Sequence, residues 1–157
     1  MKKKRVVIIS LLLLLVSVIG ISSYFLFKDK INLLDVDHSA VDWNGKKQKD
    51  TSGEENTIAI PGFEKVTLYA NETKQAVNFH NPEINDCYFK ISLIHPDGSV
   101  LWISDLIEPG KGMYSIELEK PLAVGEYENA VLKYECFSLN DQSPLNGSEI
   151  NLKLVVV

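Results

Sequence analysis

Residues Val6 to Phe27 carry no charged side chain, and Lys2, Lys3, Lys4 and Arg5 stand directly before them. No other feature constrains the chain so strongly. Twenty-two residues at helical rise reach about 33 Å, enough to cross a hydrocarbon core of about 30 Å. Leu, Ile, Val and Phe dominate the run, and each is favourable at the centre of a bilayer. Gly20, Ser17, Ser22 and Ser23 are tolerated there, because a helix satisfies its own backbone groups. Four positive charges before the run, against Lys28, Asp29 and Lys30 after it, predict a cytoplasmic amino terminus and an external remainder.

A cleaved signal peptide is the rival reading, with Gly20 and Ser22 at the small-residue positions of a cleavage site. The apolar run continues through Tyr24 to Phe27, past the usual apolar stretch of about 7–15 residues. This favours an uncleaved signal anchor. No cysteine lies near residue 20, which excludes a lipoprotein anchor.

Everything beyond the run has the opposite character. All 21 acidic groups of the chain follow it, against 12 lysines, so residues 28 to 157 carry a formal charge of −9. Such a portion is not a general nucleic-acid binder, since phosphate contacts need clustered Lys and Arg. A mean hydropathy of zero is too polar for several membrane spans.

Residues 28 to 56 contain five lysines, seven acids and no sustained apolar period, which reads as an extracytoplasmic tether. Its stretch from Gly45 to Asn56 is a solvated linker by composition. Trp43 has two placements open to it, at a membrane interface or docked on the following domain. Asp35, Asp37, His38 and Asp42 have cation-ligand chemistry. They lack the turn glycine and distal Glu of a calcium loop, so they read as a solvated acidic stretch.

From Thr57 onward strict alternation replaces any helical period. Seven strands are predicted, at 58–70, 75–80, 87–95, 99–104, 113–119, 126–138 and 149–157. The prolines at 61, 82, 96, 109, 121 and 144 fall at breaks, where a missing N–H costs no ladder bond. His95-Pro-Asp-Gly98 has the residue chemistry of a tight hairpin turn. Seven short strands without a helix predict an antiparallel two-layer sandwich.

Leu122-Ala-Val-Gly125-Glu-Tyr127 looks like the tyrosine corner of immunoglobulin-like and fibronectin type III domains, where a Tyr hydroxyl bonds back to nearby backbone. That layout groups 58–70, 75–80 and 113–119 in one sheet and the other four strands in the second. An inward Tyr127 would also turn Lys133 and Glu135 inward, whereas Leu132, Tyr134 and Cys136 belong inside. One extra residue near Asn129-Ala130 removes the conflict, so a β-bulge is predicted there.

The segments "AVDWNG", "IAIPGF", "NPEINDCYFKISL", "DGSVLWISDLIEPGKGMY", "PLAVGEYENAVLKYECFSL" and "PLNGSEINLKL" carry a further resemblance. Over most of residues 40 to 157 the chain resembles small membrane-anchored surface proteins of Gram-positive bacteria of the Clostridia type. The resemblance implies a surface location and an immunoglobulin-like fold, and no particular activity.

Cys87 and Cys136 are the only cysteines, both on the external side. An even count in an exported domain suits a disulfide, and the predicted layout brings the two strand ends together. The alternative is a pair of buried free thiols. No Cys-x-x-Cys redox motif exists.

No catalytic constellation stands out, and an enzyme is not expected. The histidines at 38, 80 and 95 are scattered, whereas a zinc site needs three or four His or Cys ligands together. No Gly-x-Ser-x-Gly elbow occurs. Glu108-Pro-Gly-Lys-Gly112 lacks P-loop spacing. No cofactor is expected, and His95 beside Asp97 reads as turn chemistry. A small hydrolase or metal-dependent enzyme is therefore the weakest alternative.

Strand phase instead points to a binding face. Tyr88, Ile94, Val131 and Phe137, with Trp102 or Ile103 from the neighbouring strand, are predicted to point outward on one sheet. Exposed apolar residues in one place mark contact sites. The tether or the loop 139–148 could equally cover this face in cis. The expectation is a non-enzymatic module at the cell membrane that contacts a surface protein or envelope component. Its alternative is an accessory subunit of a membrane or secretion assembly.

Overall fold

The structure, a computed structural model, describes residues 33–45 and 57–157. The cytoplasmic tip predicted at 1–5, the span at 6–27 and the linker 46–56 lie outside the described residues. Among the described residues every regular element is a strand, and no helix is long and apolar enough to cross a membrane. The compact unit begins at Leu34, well upstream of Thr57.

The strands are β1 (Val41–Asp42), β2 (Lys65–Leu68), β3 (Lys74–His80), β4 (Cys87–Ile94), β5 (Val100–Ile103), β6 (Lys111–Glu117), β7 (Gly125–Ser138) and β8 (Pro144–Val156). They form a three-stranded sheet, β1-β6-β3, and a five-stranded sheet, β2-β8-β7-β4-β5. One apolar cluster joins the sheets. Phe79, Met113 and Ile116 come from the first, and Phe89, Ile91, Leu93, Leu132, Tyr134 and Leu154 from the second. Each of these side chains sits one position from an outward neighbour, as alternation requires.

Local chemistry explains the joints. At the β4–β5 turn the Gly98 N–H donates to the His95 carbonyl at 2.8 Å, and Gly98 has φ +88°. A side chain there would be strained, so glycine closes the hairpin. On β7 the register against β8 shifts between Tyr127 and Ala130, and Asn129 has φ +62°. This is the bulge that the phase conflict required. It turns Ala130, Leu132, Tyr134 and Cys136 into the core and leaves Lys133 and Glu135 as an outward pair 3.5 Å apart.

The predicted strand at 58–70 needs correcting. Only Lys65–Leu68 is extended and paired, and it lies parallel to β8, in the five-stranded sheet rather than beside β3. The Lys153 N–H donates to Glu64, Ala70 to Val157 and Val157 to Leu68, at 2.8–3.0 Å. Val66 and Leu68 need one buried face, and alternation alone does not say which sheet supplies it. Pro61-Gly62 interrupts the upstream half, which frees β2 to take the unpaired edge of β8. In the three-stranded sheet, β1 pairs with β6 on the side away from β3, joining Val41 to Gly112 and Asp42 to Lys111.

The last strand also starts earlier than alternation indicated. β8 begins at Pro144 and continues the β7 hairpin through a second bulge between Tyr134 and Cys136. Residues 144–147 are exposed on both faces, so they carry no inside–outside pattern.

Candidate functional site: an outer sheet face and a strapped edge

The outer face of the five-stranded sheet holds four of the five predicted contact residues. Tyr88 lies opposite Phe137 and Ile94 opposite Val131, in the β4–β7 register. All four are half-buried. Two polar pairs separate them, Lys90 with Glu135 and Ser92 with Lys133. Six residues of strand put the two apolar pairs about 20 Å apart, so the face is two small patches with a polar belt.

Trp102 does not belong to that face. It is buried, opposite the inward Leu93, with its ring 5.9 Å from Phe79. The register of β4 against β5 slips by one residue at Leu101, and the slip swings Trp102 into the core. Ile103, opposite Ser92 and exposed, takes the outward place instead. Beside the Phe137 patch, the second β7–β8 bulge leaves a cleft of about 320 Å³, lined by Glu135, Phe137, Pro144, Leu145 and Glu149. Gly147 packs so closely there that a Cβ would lie 2.2 Å from the Tyr134 carbonyl oxygen.

The corner residues converge at the other end of β7. The Tyr127 hydroxyl donates to the Ala123 carbonyl at 2.9 Å, and its ring meets His95 edge-on at 5.1 Å. Leu122 packs partly buried against the core and its carbonyl accepts from the Asn71 N–H, while Gly125 lies against the Tyr127 ring.

Cys87 and Cys136 are free, buried thiols in mutual contact. Cys87 stands opposite Ser138 and Cys136 opposite Phe89, so the sulfurs meet on a diagonal. Diagonal neighbours are about 7–8 Å apart at Cα, beyond the usual range for a bridge of about 4.4–6.8 Å. The hydrogen bond to Cys87, together with burial, pushes the Cys136 thiol up from its ordinary pKa.

Around the β4–β5 turn stand a serine, a histidine and an aspartate. Asp97 accepts from the Ser99 hydroxyl at 2.7 Å and the Ser99 N–H at 2.9 Å, and His95 Nδ1 lies 2.9 Å from the same carboxylate oxygen. The serine is bonded to the acid and not to the imidazole. A hydrolytic arrangement needs the nucleophile on the base, so this geometry braces a turn. Among the described residues no group of three or more His, Cys, Asp or Glu could hold a metal ion.

The most elaborate surface lies along β6, and spacing along the chain did not reveal it. Residues 34–45 run over the domain as a strap. At one end Gln142, with φ +54°, clasps Leu34, whose N–H donates to Oε1 at 2.6 Å and whose carbonyl accepts from Nε2 at 3.0 Å. Further along, Leu106 exchanges backbone hydrogen bonds with Asp35 and Asp37 at 2.8–3.0 Å. β1 then adds to the β6 edge, where Asp42 pairs with Lys111. Trp43 ends the run, stacked on His80 with ring centroids 3.8 Å apart and planes 9° from parallel. Its indole N–H donates to Asn78 at 2.8 Å. Asn44 accepts from the Tyr114 hydroxyl at 2.8 Å and donates its own N–H to that oxygen at 2.9 Å. At Gly112 a Cβ would lie 2.8 Å from the indole, so glycine is what admits Trp43 to the surface. Asp42, Trp43, His80, Glu83, Ile84 and Pro109 line a cleft of about 480 Å³ beside it. The one signal in the sequence was Trp43, a large aromatic residue in a polar segment.

Comparison with family models, with curated proteins and with solved structures found no match.

Proposed function

We propose that the protein is a membrane-anchored, extracytoplasmic module with an immunoglobulin- or fibronectin III-like sandwich. On this reading it acts by contact with a surface protein or envelope component rather than by catalysis. The anchor reading rests on the uncharged run 6–27 behind four basic residues. The finer fold reading draws support from the seven strands β2 to β8 and from the Tyr127–Ala123 hydrogen bond. The β1 strand and the parallel β2–β8 pairing are local departures from that layout. The resemblance to anchored surface proteins of Gram-positive bacteria points the same way.

The observation that carries the contact reading is the outer face of the five-stranded sheet. It presents Tyr88 and Phe137, both half-buried, as a cross-strand pair. Aromatic side chains in such a place give a partner large contact area at low entropic cost. The test is the double variant Tyr88→Ser with Phe137→Ser in the intact membrane form. Truncating two half-buried aromatic side chains costs about 2–3 kcal/mol in all, so melting should fall by about ten degrees with the fold retained, while crosslinking to neighbours falls sharply. A large loss of thermal stability with unchanged crosslinking would make these residues structural.

A further inference from the structure

We propose that the cleft beside the Trp43 indole is a docking site for a basic peptide segment of a partner protein. A lysine ammonium of that segment meets the carboxylates of Asp42 and Glu83, and its aliphatic stem lies on Ile84 and Pro109. The site shares no residue with the Tyr88–Phe137 face and stands on its own observations. Its volume of about 480 Å³ falls within the range of about 300–1,000 Å³ that bound ligands occupy.

The chemistry of the lining selects the ligand. Asp42 and Glu83 contribute carboxylates, and no lysine or arginine lines the cleft. Lys111 engages Asp42 through one oxygen, Oδ1. Among the described residues Glu83 takes part in no ion pair. The portion of the chain after the apolar run carries −9, so its field draws cations and repels anions. Next to the carboxylates, the lining includes Ile84, which is 58% exposed, and Pro109. A lysine side chain has both matching parts, a compact ammonium head and an apolar four-carbon stem. A peptide also brings apolar neighbours to Ile84, which a free amine lacks.

The walls are built before any ligand arrives. The Trp43 N–H donates to the Gly110 carbonyl and the Gly110 N–H to the Asn81 carbonyl, both at 2.9 Å. The indole is held from its other groups by His80 and Asn78. The Asn85 N–H donates to the Pro82 carbonyl at 3.1 Å, which closes a turn with Glu83 and Ile84 at its tip. Gly110 has φ +76°, and a Cβ there would lie 3.7 Å from the Glu83 side chain, so this turn sets the Glu83 stem in place. A site whose walls are already fixed loses little entropy when it is filled.

The test is titration of the full-length chain in a neutral detergent with an end-blocked peptide of valine, lysine and valine. Binding is followed by calorimetry and by Trp43 emission, since the other tryptophan, Trp102, is buried in the core. We expect saturable binding with a dissociation constant of about 1 mM or tighter. Glu83→Gln should weaken it at least about threefold, as should high salt, and Ile84→Ser at least about twofold. Both positions are exposed, so neither variant should change the melting temperature. The peptide with glutamine in place of lysine should not bind. Absence of saturable heat and emission change overturns the proposal, as does equal binding of the glutamine peptide or binding that Glu83→Gln leaves unchanged. Equally strong binding of n-butylamine would make the ligand a small amine and overturn the peptide assignment. Lys46, Lys47 and Lys49 follow Gly45 in the chain. Binding that emerges only when all three are changed to glutamine would assign the cleft to the chain's own lysines, and would also overturn the proposal.

Discussion

The Tyr127 hydroxyl reaches back four residues to the Ala123 carbonyl at 2.9 Å, fixing the turn that feeds β7. Replacing Tyr127 with Phe keeps the ring and removes that bond. A typical intramolecular hydrogen bond contributes about 0.5–1.5 kcal/mol net, so Tyr127→Phe should lower the urea midpoint by a matching amount with an unchanged slope. Asp97 gives a pH dependence of definite sign. Hydrogen bonds from the Ser99 hydroxyl and N–H, with His95 beside them, hold its carboxyl down at about 2. A carboxyl lowered in the folded state contributes stability above its unfolded value of about 3.9. That contribution shrinks as the pH falls below that value and is gone below about 2. The Ser99 amide resonance should therefore move along the Asp97 titration, with a midpoint near 2. A midpoint near 4 would mean the turn is not braced in this way.

At the scale of elements, the pattern of side chains was legible where one face of a strand is dry and the other wet. β3, β4 and β7 are found close to where alternation placed them, and the Asn129 bulge followed from the need to keep Lys133 and Glu135 out of the core. Legibility failed where burial was two-sided or absent. Residues 144–147 face solvent on both sides, so β8 had no readable start. Leu101 is the extra residue of a slipped register, and one such residue reverses the assignment of Trp102. Val66 and Leu68 specified a buried face but not the sheet that offers it. In the candidate site, the Tyr88–Phe137 and Ile94–Val131 pairs were readable from phase. The strap was not, because hydrogen bonds between Leu34 and Gln142, 108 residues apart, leave no periodic trace. The β4–β7 register also bears on the cysteines. The diagonal placement of Cys87 and Cys136 leads us to expect two reactive thiols in the denatured, unreduced protein. A count of zero would mean that the strand ends move together to form a bridge.

For the whole molecule, the near-neutral average hydropathy combines two apolar populations, one continuous run at 6–27 and the alternating inner faces of β2 to β8. The charge divides in the same way, with the basic cluster before the run and −9 after it. The orientation we propose follows from this asymmetry. Part of the portion that composition marks as spacer, residues 34–45, is folded onto the domain. The most direct test of the account is labelling of Asn140→Cys by a membrane-impermeant maleimide in intact cells, followed by alkaline washing of the membranes. We expect full labelling without permeabilisation and retention of the labelled chain in the washed membrane pellet. Labelling only after permeabilisation, or release of the chain into the wash, would contradict the account.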